Sequence, residues 1–341
     1  MKLTGKIIKI LANFYYVIDI ENKTWECFAR ARLLKEGRFL YVGDEVEIET
    51  STAIQGVIVN SKDRRNKLNK PPIANIDHVL VIFSACEPGF DFYNLDRYLS
   101  FIRYELPNEK ITVCINKIDL RKINVDKTYR NTDYNIFYIS ALTKIGLDNL
   151  AQSLTKTTTV LTGPSGVGKS TLIKALAPSE DIKIGAVSSI KQGKHITRNV
   201  QLVPFEYNND QGFLVDTPGF TQFSFASLNA YKILSTFKEL NNLECSFNNC
   251  LHNGEEGCVI SNPKVLNSIP ESKLESYHKI LKESQSEVTY ETKQDPKTKS
   301  IGGKKEKKKF LPRIDQELRA KSRRKEKQEL LKFDDEFQNE T

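Results

Sequence analysis

Thr157-Thr-Thr-Val-Leu-Thr162, followed by Gly163-Pro164-Ser165-Gly166-Val167-Gly168-Lys169-Ser170 and then Thr171-Leu-Ile-Lys-Ala-Leu-Ala177, decides the fold of this 341-residue chain. A β-rich run enters a loop with glycine at both ends, and a helical run leaves it. That is the strand–loop–helix setting in which G-x-x-x-x-G-K-[ST] binds nucleotide phosphates. Gly163 and Gly168 let backbone N–H groups turn inward around a β-phosphate, and the helix starting at Lys169 adds the positive end of its dipole. Lys169 can reach the β and γ oxygens, and the Ser170 hydroxyl can coordinate Mg²⁺. Gly163 through Thr171 are therefore the candidate phosphate set. A glycine-rich turn before an ordinary helix would not require the four specified positions of this eight-residue motif, Gly163, Gly168, Lys169 and Ser170, to match. The loop alone does not separate ATP from GTP.

A second motif does. Ile111-Thr-Val-Cys-Ile115 reads as a buried strand and ends at Asn116-Lys117-Ile118-Asp119. A carboxylate at Asp119 can accept hydrogen bonds from the guanine N1–H and 2-amino groups, a donor pair that adenine lacks. Asn116 supports the base and its neighbouring loop, and the Lys117 stem covers the purine. Ile136-Phe-Tyr-Ile-Ser140-Ala141-Leu142 supplies a loop whose backbone N–H meets guanine O6. Isolated, Asn-Lys-x-Asp is a weak tetrapeptide. At a strand end, with Ser-Ala and a phosphate loop following, it becomes specific.

Two further segments follow the phosphate loop. Residues 183–199 are polar and contain Gly193-Lys194-His195-Ile196-Thr197, the pattern of a mobile loop whose threonine joins Mg²⁺ when a γ-phosphate is present. Gly212-Phe-Leu-Val-Asp216-Thr-Pro-Gly219 is a strand ending in Asp. Asp216 is expected to hold Mg²⁺ through water, and the Gly219 N–H to sense the γ-phosphate.

The flanking regions differ in character. Residues 1–60 contain about five short alternating runs, at Gly5–Leu11, Phe14–Ile20, Trp25–Arg30, Glu45–Glu49 and Gly56–Val59, which argue for a small β-barrel of the OB type. Phe14, Tyr15, Tyr16 and Trp25, with Arg30, Arg32 and Lys35, could form a nucleic-acid face, or half the aromatics could be barrel core. Lys62 to Pro72 reads as a basic linker. His78–Ala85 is a continuous apolar run suited to a parallel strand covered on both faces, and 94–105 is helical with Leu95, Leu99 and Ile102 on one face. Leu228–Leu240 is a helix-like run and 271–284 is amphipathic. The formal charge of +8 is uneven: residues 297–327 hold fourteen Lys/Arg against four Asp/Glu, so the remainder is slightly negative. Residues 302–309 look disordered and 315–332 could be a charged helix. No run reaches the roughly 18 apolar residues of a membrane span, and the start lacks a signal-peptide pattern. The expectation is a cytoplasmic monomer with no membrane partner.

Six cysteines include three within residues 245–258, a clustering that suggests metal rather than disulfide in a cytoplasmic protein. Cys27, Cys86 and Cys114 lie in apolar segments and read as buried thiols.

The motif order is guanine motif, Ser-Ala, phosphate loop, threonine loop, Asp-x-x-Gly. Ordinary GTPases place the phosphate loop first and the guanine motif last. A doubly wound sheet tolerates this rearrangement because its termini lie at the surface, often close together. With a barrel ahead and a Cys/His cluster behind, residues 1 to about 285 resemble the ribosome small-subunit-dependent GTPase A family of circularly permuted GTPases. The resemblance implies a late-acting assembly factor that binds the small (30S) ribosomal subunit and its rRNA and is stimulated by it. It also implies a multidomain fold: an OB-type barrel at 1–66, a circularly permuted α/β P-loop GTPase domain at 67–226, a small helical zinc-binding domain at 227–288, and a charged tail at 289–341. The cofactors would be Mg²⁺ with GTP and one structural Zn²⁺.

In that family a switch I histidine before threonines is implicated in catalysis, and His195 occupies its place. Phe220 stands after Gly219, where many GTPases carry a water-orienting Gln, and a phenyl ring cannot align a water. Lys194 and Ile196 depart from the family's Gly-Arg-His-Thr-Thr pattern, leaving Thr197 as the Mg²⁺ candidate. Cys245, Cys250, His252 and Cys258 match the family's C-x₄-C-x-H-x₅-C arrangement, a closed tetrahedral set, hence structural. His278 is expected on a helix surface. The alternative reading is a nucleotide-gated rRNA-binding protein whose turnover is incidental.

Overall fold

The computed structural model describes residues 2–35, 39–50, 52, 54–69, 71–178, 200–216, 223–286, 298–301 and 309–312. Five alternating segments form β1 (Lys2–Leu11), β2 (Phe14–Asp19), β3 (Thr24–Ala29), β4 (Glu45–Thr50) and β5 (Gln55–Ser61), with helix α1 (Ala31–Lys35) between β3 and β4. They close in the order β1-β2-β3-β5-β4, with β3 and β5 parallel and the other pairs antiparallel. The alternate residues Ile7, Val17, Trp25, Val46, Ile48 and Ile58 fill the interior. The N-terminal aromatics divide between the two sequence readings. Trp25 is core, its Nε1–H donating to Asp19 Oδ2 at 2.7 Å. Phe14 packs on the half-exposed Phe28, with ring centroids 4.6 Å apart.

The stretch expected to be a linker is a joint instead. Lys67–Asn69 (β6) and Pro72–Ala74 (β7) pair as a hairpin with Leu68 and Ile73 buried. Arg64 Nε reaches the buried Asp44 of the barrel at 2.7 Å, while Arg65 reaches Asp77, at the threshold of the next strand, at 2.7 Å. The asparagine between these segments and the sheet is satisfied locally too: Asn66 exchanges bonds with Ile76 at 2.7 and 2.8 Å. A run of basic residues resembles a solvated linker until its carboxylate partners are visible, and those partners lie on both sides of it.

The central domain runs β8 (His78–Ser84), α2 (Phe92–Glu105), β9 (Lys110–Asn116), α3 (Asp126–Tyr129), β10 (Asn135–Tyr138), α4 (Leu147–Leu154), β11 (Thr158–Thr162), α5 (Lys169–Leu176), β12 (Leu202–Tyr207) and β13 (Asp210–Asp216). Its sheet has the order β10-β9-β8-β11-β13-β12, parallel except for β12. Every residue of β8 is buried, as a strand with both faces covered requires. Val79, Val81 and Phe83 pack on α2 residues Leu95, Leu99 and Ile102, and Leu80 and Ile82 pack on the opposite face with Leu161 and Leu172. From β8 the chain winds outward through β9 to β10. From β11 it crosses the other way to the edge strand β12 and returns as β13 beside β11. The switch point of the sheet therefore lies between β8 and β11, where ligands of open α/β sheets bind.

The barrel is joined to this sheet at the start of β11 and just before β12: Lys6 Nζ donates to Thr158 Oγ1 at 3.0 Å, and Lys9 of β1 bridges Gln201. Burial lowers the Lys6 pKa from its ordinary value.

Beyond residue 223 the chain builds α6 (Ala230–Leu234), α7 (Lys238–Asn241), α8 (Pro263–Leu266) and α9 (Glu271–Gln285). The single helical run expected at 228–240 is two short helices. Thr236 breaks it, bonding Ile233 O at 2.7 Å and meeting Ser100 Oγ of α2 at 2.7 Å. Phe225, Ile233, Phe237, Leu240, Tyr277, Ile280 and Leu281 form the core of this module, packed on Phe101 and Tyr104 of α2. In the basic tail, β14 (Thr298–Ile301) and β15 (Lys309–Pro312) pair antiparallel, an order its charge pattern did not announce. Residues 302–308 and 315–332 lie outside the described residues.

Candidate nucleotide site and metal centre

Thr162 ends β11 and Gly163 begins the loop at φ +142. A Cβ on Gly163 would stand 2.0 Å from the carbonyl oxygen of Ile82 in β8, so the loop leaves the strand pressed against its neighbour. Gly168 closes the loop at φ +99, and a Cβ there would stand 2.4 Å from Asn116 Nδ2. Both ends of the motif therefore need glycine for conformation and for space. Between them Val167 is buried, while Ser165 and Gly166 are exposed. Lys169 folds back over the loop, donating to Gly163 O at 2.7 Å and Pro164 O at 2.8 Å. Ser170 and Thr171 stand exposed on the first turn of α5.

Asn116 joins the motifs. Its buried amide donates from Nδ2 to Val167 O in the phosphate loop at 2.8 Å. Its Oδ1 accepts from the backbone N–H of Lys117 at 2.8 Å and of Ala141 at 2.9 Å. One side chain thus fixes three loops that lie far apart in sequence. Ile118 N donates to Ile139 O at 3.2 Å, and Ser140 Oγ accepts from Thr143 N at 3.1 Å. Asp119 is exposed at the rim, open to a base.

Sequence reasoning passed over the loop after β8. Ala85 N donates to Asn116 O at 2.9 Å, and the Lys117 ammonium donates to Glu87 O. A strand ending at the switch point is the signal that could have found it. Asp216 ends β13 in register with Leu161 of β11. His195, Thr197 and Gly219 lie outside the described residues.

The second centre is Cys245, Cys250, His252 and Cys258, whose ligand atoms all lie within 4.8 Å of one another. His252 Nδ1 is 3.5, 3.7 and 3.4 Å from the Cys245, Cys250 and Cys258 sulfurs, and the Cys245 and Cys258 sulfurs are 3.9 Å apart. A tetrahedron with Zn–S of about 2.3 Å and Zn–N of about 2.0 Å has edges of roughly 3.5–3.8 Å. The residues fit the ion. With four protein ligands there is no open position, which is the arrangement of a structural metal.

The surroundings hold these ligands. Glu255 accepts from Leu251 N at 2.9 Å, and it also accepts from Asn253 N at 2.6 Å. Burial would raise its carboxyl, but these backbone donors and the Cys250 thiol keep it below its ordinary value. Tyr277 donates to Leu251 O. His278 is half-buried and bonds His252 O through Nε2 at 2.8 Å, so it braces a ligand rather than sitting on an open helix surface. Burial lowers the His252 pKa. A neutral imidazole is the form that ligates metal.

Comparison with known proteins follows the same division. The model of the RsgA GTPase family matches residues 61–226, and that of the RsgA N-terminal domain matches residues 4–58. The small ribosomal subunit biogenesis GTPase RsgA of Clostridium acetobutylicum is 37% identical over 265 residues, covering 76% of this chain and 89% of the relative. That of a Geobacillus species is 34% identical over 289 residues, covering 82% and 96%. Among solved structures, YjeQ from Thermotoga maritima superposes with a TM-score of 0.70 at 28% identity, covering 83% of this chain and 98% of that one. YloQ, described as a circularly permuted GTPase, gives 0.68 at 28%, covering 83% and 95%. The strand order winding both ways from β8 and β11, the barrel and the Cys/His centre thus have one common setting, and the chain belongs to the RsgA family of GTPases.

Proposed function

We propose that this GTPase acts in late assembly of the small ribosomal subunit, hydrolysing GTP to GDP and phosphate with stimulation by the subunit. The observation that carries the nucleotide half of the reading is the Asn116 amide, which draws the guanine motif, the Ser140-Ala141 loop and the phosphate loop into one rim. The names of its relatives support the ribosomal half. In this reading Asp119 and Lys117 hold the base and Gly163 to Thr171 the phosphates. Ser170, Thr197 and Asp216 hold Mg²⁺, and Gly219 senses the γ-phosphate. Bound Mg²⁺ would neutralise charge on the phosphate oxygens. Cys245, Cys250, His252 and Cys258 hold Zn²⁺. The barrel exterior around Phe14 and Phe28 and the basic tail meet rRNA, and the chain works as a cytoplasmic monomer. Among the described residues no helix is long and apolar enough to cross a membrane. GTP turnover with and without purified small subunits tests the proposal. Subunits that raise affinity but leave turnover unchanged would replace it with the nucleotide-gated rRNA binder.

His195 fills the water-orienting role that Phe220 cannot. His195→Ala is expected to lower subunit-stimulated turnover by about 10²-fold, the scale of a lost positioned catalytic group, with GTP affinity nearly unchanged. Equal losses in binding and turnover would make His195 structural.

The tail contributes charge. Deleting residues 291–341 is expected to leave intrinsic hydrolysis intact and to weaken subunit binding. The log–log salt slope should flatten by roughly 0.7–0.9 for each rRNA phosphate that the tail had neutralised. Site preference should survive, because phosphate contacts carry affinity more than specificity. Coincident slopes for the full-length and truncated chains would make the tail a bystander.

A further inference from the structure

Arg97 of α2 and Glu283 of α9 meet beside Phe223, Ser224 and Phe225, the residues that follow the Asp216–Gly219 segment and its immediate neighbours. We infer that Arg97 and Glu283 are positioning residues that tie this exit to the zinc module, so that a shift of the module alters GTP turnover.

The hydrogen bonds here are unusually shared. Both terminal nitrogens of the Arg97 guanidinium donate to the Glu283 carboxylate, Nη2 reaching Oε1 at 3.3 Å, and Nη2 also donates to Phe223 O at 3.4 Å. Glu283 Oε1 in turn accepts from Phe225 N at 2.9 Å and from Ser224 Oγ at 3.5 Å. Three successive residues are therefore held by one ion pair, a carbonyl by the arginine and an amide and hydroxyl by the glutamate. The guanidinium lies 5.6 and 5.1 Å from the ring centres of Phe223 and Phe225. Phe223 stacks on Phe101 of α2 with centroids 4.5 Å apart.

An exposed ion pair would hold little. This one is forked, with side chains only 17% and 27% exposed, and forked arginine–carboxylate pairs fix geometry as well as charge. Burial works against the charge on both partners. Their mutual bonds still keep the Arg97 pKa above its ordinary value and the Glu283 pKa below its own. Arg97 stands on a fixed post, because α2 is seated on the sheet through Leu95, Leu99 and Ile102. Glu283 rides on α9, the helix whose Tyr277 and His278 brace the metal knuckle. Displacing α9 without displacing residues 223–225 breaks the Glu283 bonds to Arg97, Ser224 and Phe225 together, leaving Arg97 with Phe223 O alone.

Two measurements test the inference on the full chain, with Glu283→Gln and Arg97→Lys as conservative variants. The first compares hydrogen exchange of the α9 amides with GDP and with a non-hydrolysable GTP analogue bound. The wild type is expected to show a difference between the two nucleotides, and both variants are expected to lose it while keeping zinc. The second measures turnover and rests on the subunit reading above. Stimulated turnover should fall roughly ten- to a hundredfold, the factor for a lost charge-assisted hydrogen bond, with intrinsic turnover within about twofold. The reversed pair, Arg97→Glu with Glu283→Arg, should regain part of the loss. If subunits fail to stimulate the wild type, the subunit reading falls and the exchange result still judges this pair. A nucleotide-dependent difference that persists in both variants, or that the wild type never shows, overturns the inference.

Discussion

Cys250→Ser should yield a chain without bound zinc, in which residues 240–285 are open to proteolysis while the nucleotide site still binds GTP. The size of the effect follows from the module's small core. Below the size at which a hydrophobic core suffices, a structural metal supplies the difference. Apparent zinc binding is worth about 10–16 kcal/mol in small metal-folded domains, comparable with the whole stability of an ordinary domain, about 5–15 kcal/mol. Serine offers a poor ligand atom, and the remaining thiols and His252 would then crowd one another around an incomplete set. The loss should spread beyond the knuckle, because Leu251 and His252 carry the carbonyls that Tyr277 and His278 bind. GTP affinity should change little, since none of the bonds that Asn116 makes draws on this module. Metal analysis and limited proteolysis decide the matter: one zinc per chain in the mutant would mean that Cys250 is not a ligand.

Asp119→Asn should exchange the preferred base. Asparagine can present its oxygen to only one guanine donor and sets an N–H₂ against the other, whereas xanthine offers a carbonyl there. Hydrogen bonds to a charged group are worth about 1.5–3 kcal/mol each, so losing one of the pair lowers GTP affinity by roughly 10- to 10²-fold. Xanthosine triphosphate should bind better than GTP. Because Asp119 is exposed, the substitution should leave the thermal midpoint of the nucleotide-free chain unchanged. Direct titration of both nucleotides tests this, and undiminished GTP binding would withdraw the guanine assignment.

Most of the fold could be read from residue patterns. Alternation from Gly5 to Val59 gave the barrel strands, and the solid apolar run at His78–Ala85 gave a doubly covered strand, because in both cases the period of burial is local. The Cys/His cluster was legible for a similar reason: its four residues, which could hold a metal ion, lie within fourteen positions of one another. What escaped the pattern was pairing at a distance. Arg64 and Arg65 looked like linker charges because Asp44 and Asp77 are identified as their partners only in three dimensions. Thr236 interrupts a helix for a bond to Ser100 on α2, which no helical period encodes. The same applies to Asn116. Its type marked it as a base contact, but its hold on Val167 and Ala141 depends on β9, β10 and β11 ending at one rim.

The position of the switch point has a consequence for how the sheet assembles. β8, β9 and β10 are consecutive in sequence and pair side by side, and β11, β12 and β13 do the same. Among the described residues the two halves touch as strands only where β11 lies along β8, Thr159 opposite His78. Closing that seam costs the most loop entropy, so it is expected to be the slow event in folding, which a stopped-flow refolding series would check. During synthesis the first half emerges complete before the second exists. In the proposed reading the base motif belongs to the first half and the phosphate loop to the second, so a nucleotide held by both would bridge the seam like a staple across two leaves. At a hundred times its dissociation constant such a ligand adds about 2.7 kcal/mol to stability. Starved of guanine nucleotide, the domain is expected to part first between β8 and β11.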